Sequence, residues 1–74
     1  MNRKDDNLLR KLGKQIKVER TKKDLTQEKL AELAKLTMLT IGSIENGKSA
    51  PTIITLSKIA EALDIKLCDL LNFE

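Results

Sequence analysis

The stretch TQEKLAELAKLTMLTIGSIE, from Thr26 to Glu45, decides the fold. It holds two short runs of helical period, each preceded by a threonine. Thr26 stands as an N-cap before Gln27 and Glu28, and the helix dipole favours a carboxylate in that first turn. Leu30, Ala31, Leu33 and Ala34 then supply an apolar face. The period breaks at Lys35-Leu36, and Thr37 offers a second cap. Ile41 and Ile44, three apart, bury one side of a further helix that should end near Glu45. Two helices crossing near a right angle need a small residue where their backbones meet, and Ala31 is in that position. Leu30, Ala34, Leu36, Ile41 and Ile44 have the spacing to pin the pair onto one core. An ordinary hairpin of helices would explain the two runs alone. The ordered core positions, with a cap at each start, point to a helix-turn-helix.

On the N-terminal side, Leu8, Leu9, Leu12 and Ile16 recur at helical spacing, and Arg20 continues their stripe. A first helix is expected over roughly residues 7–22, preceded by a polar, frayed end at residues 1–6. Lys23-Asp24-Leu25 breaks the pattern. On the C-terminal side, Asn46-Gly47 is a stop signal, with Gly47 placed to take the left-handed position after the helix. Residues 48–51 read as a loop. A fourth helix follows from about Thr52, with Ile53, Leu56, Ile59, Ala60 and Leu63 on its inner stripe. Asp64-Ile65-Lys66 makes a turn, and Leu67, Leu70 and Leu71 close a short fifth helix. The expectation is one all-α, five-helix domain over residues 1–74.

Composition narrows the chemistry. The 74 residues are 41% hydrophobic and 34% charged, with a single aromatic, Phe73, which suits helices packed through aliphatic side chains. There is no histidine and Cys68 is the only cysteine, so a zinc site, a disulfide framework and a Ser–His–Asp triad are excluded. No apolar run is long enough to span a membrane. These readings predict a cytoplasmic protein with no catalytic residues, no cofactor, no metal and no small-molecule substrate. The net charge of +3 is unevenly spread: residues 1–23 carry nine bases against three acids, while the remainder is mildly acidic. A basic front and an acidic back fit a polyanion on one side only.

The chain resembles the phage repressor and Cro type of bacterial regulators, the XRE family. The resemblance runs from about Leu12 to Leu71. Its carriers are Leu12-Gly13, Ile16-Lys17 with Arg20, and Leu25-Thr26-Gln27-Glu28-Lys29-Leu30-Ala31-Glu32. They continue through Thr37, Ile41, Ile44-Glu45-Asn46-Gly47-Lys48, Pro51, Leu56 to Leu63, and Ile65, Leu67, Asp69, Leu70 and Leu71. The resemblance implies a lambda-repressor-like fold whose third helix lies in the major groove of double-stranded DNA, and a homodimer on a palindromic operator. It places base-reading positions on Thr37, Met38, Leu39, Gly42 and Ser43. It makes Gln27 a phosphate clamp at a helix N-terminus, where free N–H groups already favour an anion. Thr26, Thr40, Asn46 and Lys48 complete the expected phosphate set. Asn46 has a competing role as a simple C-cap, and Gln27 as a solvent-exposed helix starter. Arg20 and Glu45 resemble a pair tying the first helix to the end of the third, with a phosphate contact by Arg20 as a second possibility.

Three features depart from the commoner family pattern. Lys35 stands at a turn where the family often has glycine, so the resemblance implies a left-handed conformation there that costs a non-glycine residue about 1 kcal/mol. Met38 and Leu39 cannot hydrogen-bond a base edge, though with Thr37 they can press on thymine methyl groups. Alternatively they belong to the core or to a protein interface. Ile54 lies off the inner stripe of its helix. With Ile65, Leu67, Leu71 and Phe73 it is expected to form an exposed apolar patch, the proposed dimer interface, beside a semi-buried Cys68. The reading is a repressor or autoregulator. An antitoxin or a restriction–modification controller could use the same domain, and a protein-interaction module that has lost DNA binding is the rival from another class.

Overall fold

The computed structural model describes residues 3–73. Five helices follow in order: α1 (Arg3–Lys22), α2 (Gln27–Ala34), α3 (Met38–Glu45), α4 (Ile53–Ala62) and α5 (Leu67–Leu70), with no strand among the described residues. α2 packs against both α3 and α4, α1 lies across α3, and α5 closes the bundle against α4 and α1.

Three threonines start three helices in the same way. The hydroxyls of Thr26, Thr37 and Thr52 accept the backbone N–H groups of Lys29, Thr40 and Thr55, each satisfying one of the orphan donors of the first turn. α1 begins at Arg3, four residues earlier than its apolar period suggests, so residues 3–6 are helical rather than frayed. Asp5 and Asp6 in its first turn complement the dipole, and no proline interrupts the helix. Met1 and Asn2, the remainder of the expected frayed end, lie outside the described residues.

The core joins Leu12 and Ile16 of α1, Leu30, Ala31 and Ala34 of α2, Ile41 and Ile44 of α3, Leu56, Ile59 and Ala60 of α4 with Leu63, and Leu70 of α5. Three expected core residues stand outside. Leu8 is exposed because the buried stripe of α1 runs through Leu9, Leu12, Gly13, Ile16 and Arg20, and one residue is a rotation of about 100° on a helix. Leu33 is exposed because Leu30, Ala31 and Ala34 fill the inner face of α2. Ile53 is 58% exposed: it is the first residue of α4 and stands a turn beyond the edge of the core.

The turns rely on left-handed residues. Lys35 takes φ 58° as expected, and its N–H closes the end of α2 on Ala31 O and Glu32 O. Asp24 and Asp64 do the same at φ 57° and 56°, which the pattern break alone does not reveal. Gly47 takes φ 70°, and a Cβ there would also crowd Arg10, 3.1 Å from its Cα. The expected apolar patch is only partly exposed. Ile65, Leu67 and Phe73 are half-buried against the core, whereas Ile54 and Leu71 are open at 64% and 45%. Phe73 also borders a shallow groove with Lys4, Leu8 and Lys11 of α1. Cys68 is exposed rather than semi-buried.

Candidate nucleic-acid interface

The site is built on the joint between α1, α2 and the end of α3. Gly13 lets α1 lie directly on that end: a Cβ there would collide with the carbonyl oxygens of Ile44 and Glu45. A glycine inside a helix costs about 1 kcal/mol relative to alanine, and here the close approach is what requires it. About two turns along α1, Arg20 meets Glu45 in a bidentate pair, with Nε donating to Oε2 at 2.7 Å and Nη2 to Oε1 at 3.1 Å. The third donor, Nη1, reaches Leu25 O at 2.7 Å and so holds the turn between α1 and α2. Both residues are buried, and no buried side-chain polar atom among the described residues lacks a partner. A buried pair of this kind persists only when geometry and remaining donors are satisfied, which they are.

Gln27 belongs to the same network. As the first residue of α2 it donates Nε2 to Glu45 Oε1 at 3.0 Å, a bond not anticipated from the sequence, which gives no sign that residues 18 positions apart share a carboxylate. It is half-buried and not the fully solvated helix starter of the simpler reading.

From this joint, α3 presents its outer side. Gln27, Met38, Leu39, Gly42, Ser43, Asn46 and Lys48 line one shallow, open concavity. It gathers four of the five expected base-reading residues with three of the five expected phosphate contacts. Met38 is 54% and Leu39 81% exposed, which removes both from the core. Gly42 adds no side chain to the floor, and the space above it is open apart from Gln27 Oε1, 3.8 Å from where a Cβ would stand. Thr37 does not line the concavity. Its hydroxyl is spent on capping, accepting from Thr40 N at 3.1 Å and donating to Thr40 Oγ1 at 2.9 Å. Thr40 keeps its own hydroxyl proton for an acceptor elsewhere. Thr26 is an exposed cap, and Asn46 is the C-cap of α3 with its side chain exposed. Asn46 therefore has the C-cap role, and the cap position leaves its side-chain amide in the open. Arg10, exposed on α1 beside Gly47, brings a cation to the loop that carries Lys48.

Two short helices in this relation, the second presenting an uncovered face, define a helix-turn-helix DNA-binding protein. The HTH_3 helix-turn-helix family model matches residues 16–70, and the chain belongs to that family. Solved structures agree. The restriction-modification controller protein C.AhdI from Aeromonas hydrophila is 37% identical with a TM-score of 0.83, over 84% of this chain and 94% of that one. An HTH_3 family transcriptional regulator from Vibrio cholerae is 32% identical with a TM-score of 0.85, over 89% of this chain and 37% of that one. The competence regulator ComR from Streptococcus vestibularis is 34% identical with a TM-score of 0.82, over 90% of this chain and 23% of that one. No curated protein matches the chain. The family and these neighbours make it a DNA-binding transcriptional regulator by class. Among the described residues no helix is long and apolar enough to cross a membrane, and no cluster of acidic or cysteine side chains is placed to hold a metal.

Proposed function

We propose that the protein is a sequence-specific regulator that binds a palindromic operator as a homodimer and represses by occupying a promoter, its own included. The observation that carries this is the concavity on α3, where an apolar head and a polar rim meet on one open face. Met38 and Leu39 read thymine methyl groups, and Ser43 is the polar reader. Gly42 lets the backbone approach the bases, and Thr37 supports the head through its cap. Gln27, Asn46, Lys48, Thr26 and Thr40 contact phosphates, with help from the cations of α1. The dimer forms through the C-terminal face, where Ile54 and Leu71 are exposed and Ile65, Leu67 and Phe73 are anchored behind them. Ile53, also exposed, adjoins Ile54 and extends the patch. Large apolar side chains left open on so small a domain favour a second copy as the cover.

Gel-shift titration with the DNA upstream of its own gene is the direct test. A discrete complex, with protection of two half-sites about one helical turn apart, is the expected result. Failure to select any sequence from a random duplex pool would remove the sequence-specific reading.

A second reading is favoured by one observation, the near full-length match to a restriction-modification controller. In that reading the same domain regulates a restriction endonuclease and its methyltransferase. Genes for both beside this one would support it, and their absence would return the assignment to autoregulation.

A further inference from the structure

We infer that Glu45, besides pairing with Arg20, is the positioning residue that orients the Gln27 amide for DNA. This rests on the reading of Gln27 as a phosphate contact. A carboxylate paired with a guanidinium offers acceptors only. The neighbouring amide of Gln27 therefore has one compatible orientation, NH2 toward Glu45 and C=O away from it. The geometry has that form: Nε2 donates to Glu45 Oε1 at 3.0 Å, and Oε1 lies over Gly42 in the concavity. One N–H of the amide is engaged, and the planarity of the amide fixes the direction of the other.

Glu45 is itself held at both oxygens. Arg20 grips both its oxygens, at 2.7 and 3.1 Å, and Arg20 is tied to Leu25 O at 2.7 Å. The backbone around Glu45 is fixed in turn by the contact of Gly13 with its carbonyl. A glutamine at a helix start would otherwise sample many rotamers and both amide orientations, and would lose that freedom on meeting a phosphate. Here the ordering is done in the free protein. Replacing Glu45 by glutamine reverses the relation. The new amide turns its oxygen to Arg20 and its NH2 to Gln27, so the Gln27 amide must flip and point its donor elsewhere.

A double-mutant cycle tests this on DNA of random sequence, followed by fluorescence anisotropy at a temperature where circular dichroism finds every protein folded. Gln27→Ala should weaken binding about tenfold, the size of one hydrogen bond to a charged group. Glu45→Gln should weaken it by a similar factor in the wild-type background and by less than about twofold in the Gln27→Ala background, since the lost effect runs through Gln27. If Gln27→Ala costs nothing, the phosphate reading fails and the positioning role goes with it. If Gln27→Ala costs tenfold but Glu45→Gln costs nothing, or the same factor in both backgrounds, the phosphate reading stands and the positioning role is overturned. Should Glu45→Gln not fold, side-chain NMR of the wild type decides. One Gln27 amide proton should be shifted downfield and slow to exchange; two ordinary, rapidly exchanging protons would overturn the inference.

Discussion

The two sides of α3 are opposite in character. On the inner side Ile41 and Ile44 are buried and Glu45 is held by Arg20 and Gln27. On the outer side Met38 and Leu39 are open, and Gly42 contributes only backbone. Eight residues thus carry two separable tasks, one of holding the domain together and one of meeting a partner. The helix has little intrinsic stability to lend to either, with a glycine at its centre and β-branched residues around it. Its conformation is imposed by the joint at its C-terminal end and the threonine cap at its start. Damage to the outer side should therefore appear in DNA binding alone, whereas damage to the inner side should appear in folding and, at Glu45, in binding through Gln27 as well.

The sharpest way to break this division is at the joint. Glu45→Ala leaves a buried guanidinium unpaired and should cost about 3–5 kcal/mol of stability. A thermal melt should register a large drop, whereas the exposed Glu61→Ala should melt like the wild type; equal small effects would mean that the joint contributes nothing. The next largest effect concerns the C-terminal face. Ile54→Lys or Leu71→Glu should give folded monomers by sedimentation, with operator affinity reduced about a hundredfold, or about 3 kcal/mol. A wild-type protein that sediments as a monomer at micromolar concentration would end the two-half-site picture.

Leu39→Ala on the outer side should leave the melting temperature nearly unchanged while costing about 1–3 kcal/mol on the cognate site and little on random DNA. Replacing the contacted thymines with uracil, which removes only a methyl group, should reproduce that loss with the wild-type protein. If uracil is tolerated and Leu39→Ala keeps full discrimination, the apolar head faces something other than bases. The smallest effect is at Gly42. The space above it is open, so Gly42→Ala should stabilise the helix by about 0.5–1 kcal/mol. If Gly42 lies against bases, the same change should weaken operator binding, and the opposite signs of the two effects would sharpen the contrast between the sides of α3.

Much of this arrangement is legible in the amino-acid order. The left-handed Lys35 and the Arg20–Glu45 pair are implied by the family resemblance, while the caps at Thr26 and Thr37 and the left-handed Gly47 are each written in residue types whose local chemistry permits few alternatives. The exposed Ile53, Leu33 and Leu8 are not, because periodicity gives the direction of a side chain but not whether anything faces it. Ile53 has the right angle on α4 and overshoots the core. The start of α1 is missed for the opposite reason: residues 3–6 have no apolar period, and a helix end needs none once dipole and composition allow it. The bond from Gln27 to Glu45 is a third kind of case. Both residues are visible as polar positions of a helix-turn-helix, yet their meeting depends on how the start of α2 packs against the end of α3, which residue types alone do not give.

Phe73, half-buried behind the exposed C-terminal patch and bordering a groove with Lys4 and Leu8, has a practical consequence for observing the protein. It is the only aromatic residue, and with no tryptophan or tyrosine the chain is nearly invisible to near-ultraviolet fluorescence. That darkness makes Phe73→Trp a clean reporter, since every photon would come from one place. An indole at this edge would emit at longer wavelength while wet and shift to the blue as a second copy covers it. Self-association could then be followed optically, against a silent background and without attaching a dye to Cys68.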